Sequence, residues 1–330
     1  MIKAIYSFNG EMHTSDDAEE IAKIYAQKPK FIWADIFLEN HELTIEETDL
    51  LSKTFQFHEM SLEDCLFPQY YPKVEEIGNY IFGAIHGIQL KPNYFQEFDE
   101  SIYELNFFAG KGFLVTAHID ELFFLELLFE KTKTLRQTKN IEIEKLLYGI
   151  FNKTVSSYEF TLEKIDEKIE LLEDEILASP DPKNMEQILD TKKVIFALKK
   201  IAEAQQAVYV YFIRADIGLI RKEYLVYFRD ISSQIARLNQ SIMLRSQTVV
   251  SLLEVYMSSV TVKLTEVMKV LTVIATVLMP VLVISGYYGM NVVFPEYAFF
   301  SEKGTWYFAV SLMICAIVLL LLYFKRKKWF

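Results

Sequence analysis

The chain has 330 residues and carries 45 acidic against 34 basic side chains, a formal charge of −11. Its apolar fraction of 52%, with only 11 Gly and 8 Pro, excludes a disordered, collagen-like or disulfide-rich secreted chain. The acidic balance also argues against a nucleic-acid partner, because phosphate binding needs a basic face. Cys65 and Cys315 fit no CxxC or zinc-ligand spacing and are expected to be free thiols.

The N-terminal region of the chain mixes short β-type runs with helical segments. Asp16–Ala26 and Thr44–Thr54 have helical character, and Thr44 with Glu47 forms the pattern of a capping box. Gly110-Lys111-Gly112 predicts a hairpin turn. Strands are predicted at Ile2–Phe8, Phe31–Phe37, Tyr80–Gln89, Ile102–Phe108 and Gly112–His118. We therefore expect a small α/β domain here.

A helical hairpin is predicted next. Apolar residues at spacings of three and four indicate a helix over Tyr158–Leu177, a break at Ser179–Pro182, and a second helix over Met185–Ile213. The first helix has an acidic face made of Glu163, Asp166, Glu167, Glu170, Glu173, Asp174 and Glu175. A solvated helix face explains this run. The alternative is a polyanionic surface that concentrates divalent cations.

The apolar pattern then continues through a single, very long helix. From Asp230 to Tyr288 it predicts about 60 helical residues, roughly 90 Å at about 1.5 Å per residue. Such a helix cannot bury its apolar seam alone, so it must bundle with other copies or with its own hairpin.

Two stretches near the C-terminus are free of charged residues, Val270–Pro295 and Gly304–Phe324. Each is long enough to cross a hydrocarbon core of about 30 Å as a helix. The run Ile317–Tyr323 is apolar on every side, which an amphipathic soluble helix avoids. Two membrane-spanning helices are therefore expected. A two-span chain has too little intramembrane surface to enclose an aqueous path, so oligomerisation is expected as well.

Charge asymmetry predicts the orientation. Residues 261–330 carry a net charge of +4, whereas the preceding 260 residues carry −15. A basic cluster follows the second span at Lys325, Arg326, Lys327 and Lys328. The positive-inside rule places this C-terminus in the cytosol, and two passes return the N-terminal body to the same side. No N-terminal signal sequence is visible. A multi-pass protein of the cytoplasmic (inner) membrane, in contact with lipid, is expected.

The end of the first span carries a family signature. With Tyr288-Gly289-Met290-Asn291 after one span and before a second, the chain resembles the CorA family of divalent-cation transporters. Further similarity in the expected order lies at Leu62–Asp64, Pro72–Glu75, Tyr227–Asp230, Glu266–Thr272, Met279-Pro280 and Lys325–Trp329.

The resemblance implies an α+β membrane protein that assembles as a homopentameric funnel. Each subunit would have a cytosolic α/β/α domain (1–140), a helical stalk and hairpin region (141–263), and a two-helix transmembrane pore domain (264–330). Family members move Mg²⁺, and often Co²⁺ or Ni²⁺, without ATP, and this sequence has no Walker A motif. An enzyme is not expected, since its five histidines are scattered.

The resemblance also assigns an ion pathway. Tyr288, Gly289, Met290 and Asn291 would form the selectivity filter. Because Mg²⁺ dehydrates reluctantly, amide and carbonyl oxygens there would recognise the hydrated ion. Pore-lining positions would be Thr265, Met268, Leu271, Ala275, Met279 and Leu282. Thr265 stands where the best-known pattern has Asn, and Leu282 where it has Thr, so this pore is expected to have fewer polar rings.

Cytosolic acids would provide feedback. The resemblance points to Asp64 and Asp230 of neighbouring subunits, assisted by Glu63, as holders of a regulatory Mg²⁺. Carboxylates facing each other repel unless a cation lies between them, so loss of the ion would loosen the ring.

Two other functions stay open from the sequence. A ZntB-like zinc transporter shares the scaffold but typically carries Gly-Ile-Asn, so Met290 argues against it. A membrane-tethered scaffold explains the two spans but gives no reason for Gly289-Met290-Asn291.

Overall fold

The computed structural model describes residues 1–8, 11–39, 42–67, 69, 71–134, 142–214, 220–290, 292, 302–327 and 329. The chain divides into two compact units. The first unit comprises Met1–Glu175 and Asp181–Leu253. The second unit comprises Ile176–Pro180 and Glu254–Phe330.

A seven-stranded sheet organises the N-terminal region of the first unit. Its order is β2-β1-β3-β7-β6-β5-β4, with β3 and β7 parallel and all other pairs antiparallel. The strands are β1 (Ile2–Phe8), β2 (Glu11–Ser15), β3 (Ile32–Phe37), β4 (Lys73–Ile77), β5 (Tyr80–Ile88), β6 (Ile102–Gly110) and β7 (Phe113–His118). All five predicted strands are confirmed. The two that were not predicted, β2 and β4, are the polar strands at the sheet edges.

Short helices connect these strands. They are α1 (Ala18–Ala26), α2 (Ile45–Asp49), α3 (Glu59–Leu66) and α4 (Phe123–Lys133). The predicted capping box is confirmed, because Glu47 N–H donates to Thr44 Oγ1 at 3.2 Å and Thr44 N–H donates to Glu47 Oε2 at 2.9 Å. The helix predicted through Thr54 changes character after Asp49, where α2 runs into a π-helical turn over Leu50–Thr54.

Both faces of the sheet are covered. Phe107 and Phe108 alternate on β6, so they lie on opposite faces, and both are fully buried. Phe108 stacks on Phe57 with ring centroids 4.0 Å apart, in a core cluster that also contains Ile21 of α1. Phe107 contacts Phe151 at 5.6 Å on the other side. The predicted α/β/α layering is therefore confirmed.

Four long helices complete the chain. They are α5 (Ile143–Ala178), α6 (Pro182–Tyr211), α7 (Leu225–Tyr288) and α8 (Glu302–Arg326). The predicted break is confirmed, since Asp181 caps α6 through a bond from Lys183 N–H of 2.8 Å and Pro182 stands first in the helix. Three helices begin earlier than predicted: α5 by about four turns, α6 at Pro182, and α7 at Leu225, giving it 64 residues.

Candidate functional site

The helix α7 changes its environment along its length. Toward its N-terminus a single stripe of side chains is buried, as in any amphipathic helix: Phe228, Ile231, Ile235, Leu238, Ile242, Val249 and Leu252. From Glu254 to Tyr288, Val273 is the one buried residue. This C-terminal segment of α7 and the helix α8 are long and apolar enough to cross a membrane. An apolar helix surface exposed in a single chain needs lipid or further protein copies to cover it.

The predicted pore positions share one face of α7. At about 100° per residue, Met268, Leu271, Ala275, Met279 and Leu282 fall within a narrow arc, and all five are exposed. Covered positions in the same region centre on the opposite side of the helix: Val273, Thr276, Val277, Pro280, Val281 and Ile284. Between Val273 and Ile284 the chain thus covers one side of this helix, at least in part, and leaves the predicted pore side free.

Thr265 lies beside that exposed face. Its hydroxyl donates a hydrogen bond to the Thr261 carbonyl at 2.8 Å. The hydroxyl proton is therefore used within the helix, and the oxygen lone pairs remain available as acceptors. Such an oxygen can accept a hydrogen bond from the water shell of a cation.

The signature segment follows directly on the end of α7. Gly289 N–H donates to the Ser285 carbonyl at 2.9 Å, and Met290 N–H donates to the Tyr287 carbonyl at 3.3 Å. A Cβ at Gly289 would lie 2.9 Å from the Ser285 oxygen, closer than side chains tolerate. Glycine is therefore needed for this close turn. Asn291, the predicted ligand for hydrated ions, lies outside the described residues.

Asp64 already has partners within its own chain. One carboxylate oxygen pairs with Lys73 Nζ at 2.5 Å, and the other accepts from Gln69 Nε2 at 3.0 Å. Gln69 is held in turn, because its backbone N–H donates to Glu104 Oε2 at 2.6 Å. Neighbouring Glu63 is exposed. The ammonium of Lys73 thus balances the charge of Asp64 within one chain.

Asp230 lies near the start of α7 and is exposed. Its carboxylate accepts from Gln234 Nε2 at 2.7 Å. Burial, followed by the nearby Asp230 carboxylate, raises the pKa of Tyr148. Among the described residues of a single chain, no group of three His, Cys, Asp or Glu side chains could hold a metal ion.

The basic end of α8 is exposed at Lys325, Arg326 and Lys327, whereas Lys328 lies outside the described residues.

Some carboxylates of the predicted acidic face of α5 form ion pairs within the chain. Asp166 accepts two bonds from Arg245, and Glu167 pairs with Lys164 at 2.7 Å. These pairs reduce the negative charge that this face presents to solution.

Sequence reasoning missed the partners of Asp64. Gln69 lies in the loop shortly after α3, whereas Lys73 lies on β4, and only the folded sheet brings its ammonium to Asp64. The family resemblance includes the run Pro72–Glu75 but does not indicate that Lys73 pairs with Asp64. A lysine nine residues beyond an aspartate has no spacing signal of its own.

Comparisons with known proteins agree with this architecture. The model of the family described as "CorA-like Mg2+ transporter protein" matches residues 28–326. A cobalt/magnesium transport protein CorA from Thermotoga maritima is 33% identical over 299 residues, covering 86% of this chain and 81% of that protein.

Solved structures show the same fold. The complete CorA magnesium transporter from Methanocaldococcus jannaschii superimposes with a TM-score of 0.82 at 24% identity, covering 100% of this chain and 99% of that one. The ZntB cytoplasmic domain from Vibrio parahaemolyticus is more distant, with a TM-score of 0.60 at 11% identity; the match covers 78% of this chain and 96% of that domain. The match over almost the full sequence, together with the described fold, leads to one conclusion: the chain belongs to the CorA-like Mg²⁺ transporter protein family.

Proposed function

We propose that five copies of this chain assemble around α7 and conduct hydrated Mg²⁺ across the cytoplasmic (inner) membrane, with Co²⁺ or Ni²⁺ as further cargoes. The family consists of transporters, not enzymes, and the Thermotoga maritima relative is named for cobalt and magnesium transport. The observation that carries the proposal is the exposed face of α7 formed by Met268, Leu271, Ala275, Met279 and Leu282.

Several copies are needed to build the pathway. Two helices cannot enclose a hydrated ion, whereas the exposed faces of five α7 helices can surround one axis. The side of α7 already covered within the chain faces away from that axis.

Selection takes place at the turn after α7. The carbonyls of Gly289 and Met290 with the amide of Asn291 accept hydrogen bonds from water held by the ion. Such outer-shell recognition suits Mg²⁺, which gives up its water reluctantly. Between Glu266 and Glu296 the sequence has no carboxylate that would retain the ion strongly.

Inside the pore, Met268 and Met279 form apolar rings that stop ions when the constriction loses water. Leu282 adds an apolar ring near the entrance, and Thr265 supplies hydroxyl oxygens below it. The transported ion therefore passes through a mostly apolar pore.

Feedback operates through Asp64 and Asp230 of adjacent copies, with Glu63 nearby. A regulatory Mg²⁺ supplies the positive charge that lets the two carboxylates approach. Asp230 suits this role, since its carboxylate is exposed and accepts a bond from the Gln234 amide, which a cation can displace without leaving a charge unpaired. At Asp64 the cation must compete with Lys73.

The orientation follows from charge. The exposed Lys325, Arg326 and Lys327 at the end of α8 support a cytosolic C-terminus by the positive-inside rule. With two spans, the first unit lies on the same side of the membrane. Transport by this route uses no ATP.

Ion uptake by reconstituted protein tests the function. Proteoliposomes should take up Mg²⁺ in proportion to the protein present, and native mass spectrometry in detergent should show five copies. Met279→Asp should hydrate the apolar constriction, so that the pore conducts ions when closed or changes its ion preference. Met279→Leu keeps the volume and polarity of the side chain and should preserve gating.

Other outcomes identify the alternatives. Uptake of Zn²⁺ without Mg²⁺, Co²⁺ or Ni²⁺ would identify a ZntB-like transporter. Absence of any cation flux from a folded oligomer would leave a membrane-tethered scaffold. A stable monomer would contradict the pore.

A further inference from the structure

A cavity of about 910 Å³ lies in the first unit, and none of its lining residues is assigned to transport. It sits at the end of the sheet where β3, β5 and β7 begin. Two hairpin turns, the connection from α1 to β3 and the end of the π-helical turn all contribute to its walls. Loops that converge on a rigid sheet in this way are a common setting for binding sites.

The walls of this cavity are basic. Lys28, Lys53 and Lys111 line it against the single carboxylate of Glu76. Lys53 pairs with Asp49 at 2.7 Å, while neither Lys28 nor Lys111 forms an ion pair with any residue that the structure describes. This local excess stands out because residues 1–260 carry a net charge of −15. Unpaired lysines gathered in a concave site attract an anion.

Residues with positive φ are concentrated at the same place. Lys28 has φ +54°, Gly78 has +59° and Gly112 has +84°, and all three line the cavity. Among the residues described, Gln56 is the one further case of positive φ, two positions beyond the cavity wall. The π-helical turn Leu50–Thr54 supplies its last two residues to that wall. Lys28 is the left-handed residue that ends α1, where its N–H donates to the Tyr25 carbonyl at 2.9 Å, and the two glycines belong to the hairpin turns. The π-helical turn is the part of this wall that frequently marks functional sites.

The cavity also has an aromatic floor. Phe113 and Tyr80 are buried beneath it, and Tyr25 is half-buried. The rings of Tyr25 and Phe113 meet edge to face with centroids 5.8 Å apart. The Tyr25 hydroxyl is neutral at physiological pH and can donate a hydrogen bond; burial raises its pKa further. An apolar, aromatic surface beside unpaired lysines suits a ligand with a flat ring at one end and negative charge at the other.

We propose that this cavity binds a nucleoside polyphosphate, with the phosphates at Lys28, Lys53 and Lys111 and the base against Tyr25 and Phe113. Binding here is separate from the transport step. The sequence has no Walker A loop to position the phosphates for hydrolysis, so the nucleotide is held as a bound ligand and is not an energy source.

Calorimetric titration of the detergent-solubilised full chain tests this site. ATP, inorganic tripolyphosphate and adenosine are titrated separately in EDTA, so that chelation of Mg²⁺ does not contribute heat. ATP should bind saturably and at least about tenfold more tightly than either fragment, since only ATP meets both the lysines and the aromatic floor. Its affinity should fall as salt is raised.

Lysine variants locate the binding. Lys28→Gln/Lys111→Gln removes two unpaired charges from exposed positions and should weaken ATP about tenfold or more. Lys23→Gln is the matched control, because Lys23 is an exposed lysine of α1 outside the cavity, and it should bind ATP as wild type does. Absence of saturable ATP binding, equal affinity for tripolyphosphate, or an unchanged affinity in the double variant would each overturn the proposal.

Discussion

The two units of the chain place their apolar side chains in opposite environments. In the first unit Trp33, Phe82 and Phe107 are completely buried among other residues of the same chain. From Glu254 onward, the buried hydrophobic residues among those described are Val273, Ala309 and Phe324. The first unit contains its own core, whereas the exposed apolar side chains of the second unit are stable only where lipid or other copies of the chain cover them. The continuous helix α7 passes from one environment to the other.

The largest expected effect is a difference in stability between alanine substitutions near the two ends of α7. Ile235 is completely buried, so Ile235→Ala should lower the free energy of unfolding by about 2–5 kcal/mol. Leu271 is 59% exposed, and Leu271→Ala should change the stability of the chain little while altering ion flux. Chemical denaturation followed by tryptophan fluorescence measures the first effect, and proteoliposome uptake the second. Equal destabilisation by both changes would contradict the comparison.

The end of α7 offers a pair of glycines with different surroundings. A Cβ at Gly289 would press on the Ser285 carbonyl, whereas a Cβ at Gly286 would meet no atom within 4 Å. Gly289→Ala should strain the entrance by about 1–3 kcal/mol and slow Mg²⁺ uptake roughly tenfold or more. Gly286→Ala should leave uptake near the wild-type rate. If Gly289→Ala also transported normally, the turn would not shape the filter.

A smaller effect is expected at Asp64, the proposed regulatory-metal ligand of the first unit. Lys73→Gln removes the ammonium that pairs with Asp64, so a cation should bind there more readily, by about threefold. The Mg²⁺ concentration that protects the protein from proteolysis reports this affinity. Lys91→Gln serves as a control, since Lys91 pairs with Glu100 and not with Asp64. An unchanged midpoint in Lys73→Gln would show that Asp64 does not hold the regulatory ion.

The smallest effect concerns a charge inside the core of the first unit. Burial alone raises the pKa of Asp35. His118, whose ring nitrogen lies 3.4 Å from the carboxylate, the hydrogen bond from Thr116 and the charge of Lys3 together outweigh burial, so the folded pKa lies below the usual value. A lowered carboxylate pKa stabilises the fold above the unfolded pKa, and this stability is lost as pH falls through the folded pKa. The urea concentration at the unfolding midpoint should therefore fall as the pH is lowered below about 4. In Asp35→Asn it should fall less steeply. Identical acid profiles would contradict this role.

The central strands were predictable because their residues are β-branched or aromatic over several positions. The edge strands β2 (Glu-Met-His-Thr-Ser) and β4 (Lys-Val-Glu-Glu-Ile) were not, since polar residues there are indistinguishable from loop. The same limit applies to the π-helical turn Leu50–Thr54, where the capping box at Thr44 correctly marked the start of a helix but nothing indicated its change of hydrogen bonding.

The candidate site divides in the same way. Positions on one helix, such as Met268, Leu271 and Met279, follow from helical spacing, and the structure places them on one exposed face. The pairing of Asp64 with Lys73 depends on the meeting of α3 with β4, which no local pattern encodes. The family resemblance supplied the roles of these residues, and those roles remain predictions for the experiments above.

Accessibility of α7 to water-soluble thiol reagents tests the pore most directly. The experiment uses a Cys315→Ser background, because Cys315 is exposed. The remaining cysteine, Cys65, is buried and should not react. Met279 and Val270 are similarly exposed in the single chain, at 66% and 59%, but they lie on different sides of the helix. With Met279→Cys, a membrane-impermeant reagent should react and block Mg²⁺ uptake; with Val270→Cys, the same reagent should leave uptake unchanged. Block at Val270→Cys without block at Met279→Cys would contradict the assignment of this face to the ion pathway.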